Sequence, residues 1–195
     1  YEVTYENNVD VGTARVIITG KGNYQGEITT EFEIIPSGIG ADFTIEAIPD
    51  QPYTGAAIEP EIVVRDGDKV LEEGIDYEVT YENNVDVGTV TVTVTGKGNY
   101  SGETSATFEI VEREIDADEG FTIEDIPDQT YTGGAIEPEI VIKDGDKVLE
   151  EGVDYEVTYE ENVDAGTVTV IITGKGNYSG ETSATFEIVP AEAPE

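Results

Sequence analysis

Histidine, cysteine, methionine and tryptophan are absent from the 195 residues, and only 9 lysines and arginines stand against 44 aspartates and glutamates. Without cysteine there is no disulfide, thiolate nucleophile or thiolate metal site. Without histidine there is no imidazole base or ligand, and a serine-histidine-acid triad is excluded. The compartment stays open on this ground alone, because an extracellular protein can dispense with disulfides when its cores suffice. A formal charge of -35 makes the surface a carboxylate coat that repels phosphate backbones and anionic membranes, so nucleic acid is a poor partner. The same coat promotes solubility, attracts divalent cations, or suits high salt. No apolar run approaches the roughly 20 residues that span a bilayer. The chain opens on "YEVTYENNVD" with neither an initiating Met nor a signal peptide, and reads as a piece of a longer protein.

What is present is repetition. Phe43 to Val111 and Phe121 to Val189 align without a gap at an offset of 78, and differ at 10 of 69 positions. Tyr1 to Ile34 matches Tyr77 to Ile110. The expected organisation is a partial repeat over 1–36 (the C-terminal half of a unit), full repeats over 43–111 and 121–189, and a linker over 190–195, rich in proline and acid. The joins "IPSGIGAD" and "EREIDADEG" are short, so neighbouring repeats are expected to touch. Periodicity fixes the period and leaves the phase open: the folding unit could equally begin at the repeated "DYEVTY".

Within a repeat the apolar period is two. "TVTVTVT" puts Val90, Val92 and Val94 on one face. Tyr77, Val79 and Tyr81 share a face in "DYEVTYE", as do Ala106, Phe108 and Ile110 in "ETSATFEIV", while "AIEPEIVV" supplies Ile62 and Val64. Turn signals such as "RDGDKVLEEG", "ENNVDVG" and "GKGNYSG" separate these runs. Five to seven short strands in about 70 residues, with no helical stripe, predict an all-β chain of tandem small immunoglobulin-like β-sandwich repeats.

The glycine-rich "TGKGNYSGE" invites a phosphate-binding reading. A P-loop, however, needs GxxxxGK followed by Ser or Thr between a strand and a helix, and here the residue order is wrong and another strand follows. Gly96 to Gly102 is expected to be a turn, with Lys97 relieving nearby acidity. Tyr100 and its copies Tyr24 and Tyr178 are expected to bury their rings and return a hydroxyl bond to the backbone, with stacking on a glycan as the alternative. Asn99 and Asn177 fit the N-glycosylation pattern, which matters only in a suitable secretory pathway. No metal site is expected to be built in; the calcium candidates are Asp66, Asp68, Asp144 and Asp146, with Glu72, Glu73 and Asp76 and their copies nearby. Against calcium, the spacing is not that of the twelve-residue calcium loop, and Asp-Gly is a favoured hairpin turn. Paired carboxylates carry no weight towards a glycosidase among 44 acids, and no enzyme is expected. An isopeptide bond from Lys to Asn or Asp needs a buried lysine, whereas Lys97 falls in a turn and Lys69 in a charged hairpin.

The combination of "YTG" at Tyr53 to Gly55, "DYEVTYENNVDVG" at Asp76 to Gly88 and "GKGNYSG" at Gly96 to Gly102 resembles the tandem extracellular repeats of Gram-positive bacterial surface proteins, of immunoglobulin-like and MBG type. The resemblance implies secretion to the cell surface, modules in series with neighbouring repeats as partners, no catalytic residue and no cofactor. Two roles follow: a stalk or spacer that holds another domain away from the cell, or an adhesive array binding a glycan or mucin through repeated weak sites. Tyr131 and Tyr159 divide the two readings, since an exposed shared face favours binding and burial favours the spacer.

Overall fold

The computed structural model describes residues 1–39, 43–116 and 120–192, and these hold strands and turns without a helix. Parts of the two expected joins, at 40–42 and 117–119, and the last three residues of the expected linker lie outside the described residues. Contacts divide the chain into two compact units, one of Tyr1–Pro49, Glu59–Asn84 and Val90–Phe108, the other of Asp50–Ile58, Val85–Thr89 and Glu109–Glu195.

The first unit begins with an antiparallel meander, β1 (Glu2–Glu6), β2 (Gly12–Thr19) and β3 (Glu27–Ile34), in that order across the sheet. After the short β4 (Ser37–Gly38) comes β5 (Phe43–Ile45), and the chain then runs through β6 (Gln51–Pro52), β7 (Val64–Asp66) and β8 (Lys69–Val70). Next follow β9 (Tyr77–Glu82), β10 (Gly88–Gly96), β11 (Tyr100–Ser101) and β12 (Glu103–Val111). One sheet has the order β5-β7-β8, and β12, β10 and β9 lie side by side in another. The core of this unit follows the alternation in the sequence. Val90, Val92 and Val94 are fully buried, while the threonines between them are not, and Ile62, Val64, Leu71, Tyr77 and Phe108 are buried with them. Each such aliphatic side chain contributes about 1.5–3 kcal/mol by leaving water, which is why a period-two pattern fixes which face of β10 turns inward.

The second unit repeats the plan. Its strands are β13 (Arg113–Glu114), β14 (Phe121–Ile123), β15 (Gln129–Thr130), β16 (Ile142–Asp144), β17 (Lys147–Val148), β18 (Tyr155–Glu160), β19 (Gly166–Gly174), β20 (Tyr178–Ser179) and β21 (Glu181–Val189). The sheets are β14-β16-β17 and β15-β21-β19-β18, and Ile140, Ile142, Leu149, Val168, Val170, Ile172, Phe186 and Ile188 fill the space between them. In this unit β6 also pairs in parallel with the end of β12, matching Ile110 to Gln51 and Val111 to Pro52. Two sheets closed on one apolar layer make each a β-sandwich of immunoglobulin-like character, and the fold class is all-β.

Candidate functional site

The "GKGNYSG" stretch is a turn, and its backbone is specified by close approach. Gly96 donates its N–H to the Gly102 carbonyl at 2.9 Å, and Tyr100 donates to the Lys97 carbonyl at 3.0 Å. A Cβ on Gly96 would lie 2.7 Å from the Ser101 nitrogen, and Gly98 sits at a φ of 62°. Lys97 is not offered to a phosphate. Its Nζ lies 2.6 Å from Glu78 Oε1, and Lys175 repeats the pair with Glu156 at 2.7 Å. That hydrogen bond holds the Glu156 carboxyl below its ordinary range.

The turn does more than reverse the chain, because the preceding join docks on it. In the first unit β4 runs parallel to β11, and Ser37 and Ile39 donate their N–H groups to the Asn99 and Ser101 carbonyls at 2.9 and 2.7 Å. In the second unit β13 runs parallel to β20, and Arg113 and Ile115 donate to Asn177 and Ser179 at 3.1 and 2.8 Å. The asparagine side chain then caps the hairpin of the preceding repeat. Asn99 Oδ1 accepts from Val11 N at 2.7 Å and its Nδ2 donates to Asp10 Oδ1 at 2.9 Å. Asn177 makes the same two bonds to Val87 N and Asp86 Oδ1, at 2.8 and 3.0 Å. The asparagines read as glycosylation signals are thus engaged in joining one repeat to the next.

The tyrosine after each asparagine depends on its neighbours. Tyr100 and Tyr178 bury their rings, as expected, edge-on to Phe43 and Phe121 with centroids 5.5 and 5.8 Å away. Tyr24 is exposed. The expected hydroxyl-to-backbone bond is replaced by a side-chain network: Tyr100 accepts from Lys69 Nζ at 3.1 Å, and Tyr178 from Lys147 Nζ at 3.2 Å. The Tyr100 contact raises the Lys69 ammonium pKa, and Lys147 is raised against its own burial by Tyr178, Asp154 and Tyr53. Backbone-directed hydroxyls belong instead to Tyr77 and Tyr155, which donate to the Ile62 and Ile140 carbonyls at 2.9 and 2.6 Å, and to Tyr81 and Tyr159, which donate to Pro60 and Pro138. Burial pushes all four phenols up, and nearby glutamates add to it.

Tyr53 packs edge-on to Tyr178 at 5.4 Å, beneath Lys147 at 5.6 Å. Its copy Tyr131 is 40% exposed, whereas Tyr159 is half-buried, so the two rings named as a binding face do not share one environment. Among the calcium candidates, Asp144 accepts Arg113 at 2.8 Å and also the Tyr178 hydroxyl at 3.3 Å. Asp66 is 3.5 Å from the Tyr100 hydroxyl, and Asp68 and Asp146 are exposed beside the hairpin glycines. Asp76 and Asp154 accept the Glu72 and Glu150 N–H groups at 3.1 and 3.0 Å, which fixes the loop before β9 and β18. Among the described residues no group of three or more acidic side chains is gathered to hold a cation, and no helix is long and apolar enough to cross a membrane.

No family model and no curated protein matches the chain. Solved structures similar to it include protocadherin gammaB7 EC3-6 in a cis-dimer structure, 14% identical over 94% of this chain and 58% of that one with a TM-score of 0.25. A second is PcdhgB3 EC1-4, 14% identical over 92% and 57% of the two chains with a TM-score of 0.23. The chain therefore spans less than two thirds of either, and likenesses at these TM-scores carry no argument about its role.

Proposed function

We propose that the chain is a non-catalytic extracellular stalk or spacer module of a repetitive bacterial surface protein. Its folding units are then 43–111 and 121–189, with 1–36 a partial unit and 190–195 a linker. The observation that carries this reading is the recurrence of one junction: a join strand on the Asn-Tyr-Ser turn, with the asparagine capping the hairpin of the preceding repeat, at Asn99 and again at Asn177. A flexible linker would make neither ladder nor cap. Residues spent on setting the angle between repeats serve a module that transmits distance. The carboxylate coat adds mutual repulsion between modules.

Chains carrying two, four and six whole repeats test the proposal by solution scattering. The maximum dimension should rise by a constant increment per repeat, and replacing the junction asparagines with alanine should broaden the distance distribution. A dimension that grows as the square root of repeat number would identify a flexible string and overturn the reading.

The exposed ring of Tyr131 favours the adhesive alternative in one respect, since exposed aromatic rings stack on sugars. Its copy Tyr53, however, is covered by Tyr178 and Lys147, so exposure of this ring is not a shared property of the repeats. Arrayed glycans and mucins decide between them. Saturable binding that Tyr131→Ala removes without unfolding the chain would make it an adhesin.

A further inference from the structure

The sandwiches are built from antiparallel strands, and the parallel ladders among the described residues all tie the start of a repeat to its end. In the second unit β15 pairs with β21, matching Gln129 to Ile188 and Thr130 to Val189, as β6 pairs with the end of β12. Tyr131 and Tyr53 extend these two ladders, donating their N–H groups to the Val189 and Val111 carbonyls at 2.8 and 2.9 Å. The join strand β13 is held likewise by β20, from which the chain passes through Gly180 into β21, the last strand of the repeat. Parallel pairing is slightly weaker per residue than antiparallel pairing, so local strength does not explain why it recurs at these places.

The direction of load does explain it. Tension along the chain draws an entry strand towards its N-terminal side and an exit strand towards its C-terminal side. In a parallel pair the two pulls oppose each other along one axis, so the strands must slide and every bond of the ladder is strained together. A hairpin pulled at its open end instead releases its bonds one at a time. Sliding is further opposed by the core, because a slip of one residue would turn the face of β21 that carries Ile188, 2% exposed, towards solvent. Pro52 shows which groups matter: it lacks an N–H, yet stands in register with Val111 without ending the ladder, because Tyr53 makes the next bond. We infer that the parallel ladders β13–β20 and β15–β21 are a tension clamp, which makes the repeat far more resistant to force along the chain than to force in other directions. The inference deepens the stalk reading, and its use to the molecule rests on that reading.

The chain has no cysteine, so Glu112→Cys with Glu192→Cys gives two unique, exposed attachment points on either side of the second repeat in the full 195-residue chain. Single-molecule pulling through them should show one rupture that releases the repeat whole. Its force should be at least about twice that read through Asp146→Cys with Asp164→Cys, which lie at hairpin tips and load no entry or exit strand, since forced unfolding follows the barrier and not the equilibrium stability. Tyr131→Pro removes the N–H that bonds Val189 and should lower the axial force by at least about a third. Thr130→Pro, which copies Pro52, and Tyr131→Ala, which keeps the N–H, should leave that force unchanged. The comparison of directions needs no ladder variant and decides the case by itself if Tyr131→Pro does not fold. Equal forces in the two directions, stepwise low-force release along the axis, an unchanged force in Tyr131→Pro, or equal losses in Tyr131→Pro and Tyr131→Ala would each overturn the clamp. None of these outcomes alters the increment in maximum dimension per repeat, so the stalk reading stands or falls separately.

Discussion

Asn177 closes on Asp86 across 91 positions of sequence, with Nδ2 3.0 Å from the carboxylate while Oδ1 accepts the N–H of Val87. The relationship is polar at both ends of one amide, which distinguishes asparagine from aspartate and alanine: aspartate retains the acceptor and loses the donor, and alanine loses both. Asn177→Ala should cost about 1–2 kcal/mol and speed exchange at the Val87 amide. Asn177→Asp should cost more at neutral pH, because a carboxylate would face Asp86. That excess should shrink below about pH 4, where protonation restores a donor. A calorimetric titration that ranks the two variants equally at every pH would show that the cap contributes nothing to the junction.

Much of this fold is legible in the sequence, and the boundary has a physical basis. "TVTVTVT" identifies Val90, Val92 and Val94 as core because a strand turns alternate side chains to one face, and all three are fully buried. Ile62, Val64, Phe108 and Ile110 follow the same rule. The Asn-Tyr pair reads correctly as part of a turn, since turn chemistry is local. Its second role is not local: the partners of Asn99 lie 88 and 89 residues away, in a different copy of the repeat. A periodic sequence shows what recurs, and only the packing shows what each copy touches. The hydroxyl of Tyr100 is misread for the same reason, because Lys69 occupies it from the facing sheet.

Arg113 distinguishes the second junction from the first. It lies 2.8 Å from Asp144 and stacks over Phe121 at 4.9 Å, whereas the residue in register at the first junction is Ser37. Both charged groups are largely shielded, so salt screens this pair less than an exposed one. Arg113→Ala should destabilise the second unit by about 1–3 kcal/mol, and Arg113→Lys should recover only part because it loses the planar stack. Equal stability of the lysine and wild-type chains in urea would assign the arginine to charge alone.

The tyrosines that donate to the Ile62 and Ile140 carbonyls set an alkaline limit. Burial raises the phenol pKa of Tyr77 and Tyr155 above the ordinary 10.0, so the folded chain holds these protons more tightly than the unfolded one. Their contribution is complete below about pH 10 and is lost as pH climbs through the raised folded values. Tyr77→Phe should lower stability by about 1 kcal/mol at neutral pH through the orphaned Ile62 carbonyl, while flattening the fall above pH 10. Thermal melts at stepped pH check both effects; an unchanged alkaline slope would place the limit elsewhere.

Two glycines of the same turn motif should respond differently to alanine. At Gly96 the added Cβ meets backbone, 2.7 Å from the Ser101 nitrogen, and strands must separate to admit it. At Gly22 the space is open and only the φ of 70° opposes an L side chain. Gly96→Ala should therefore cost about 2–3 kcal/mol and Gly22→Ala about 1 kcal/mol. Comparable losses in chemical denaturation would mean that the strands at Gly96 yield freely.

Salt tests which sign of electrostatics governs the folded chain. Surface pairs such as Lys97–Glu78 and Lys175–Glu156 attract, but pairs this exposed are screened by solvent and contribute little. With 9 cationic side chains against 44 anionic ones, only a minority of the carboxylates can have a cation of their own. Raising NaCl from about 0.1 to 1 M shortens the screening length from about 10 to about 3 Å and suppresses attraction and repulsion together. Repulsion is the larger sum, so the melting temperature should rise by several degrees. The gain should be smaller in a variant whose exposed threonine-face acids Glu103, Glu109, Glu181 and Glu187 are changed to glutamine. A melting temperature that falls with salt would show that the few ion pairs outweigh the carboxylate coat.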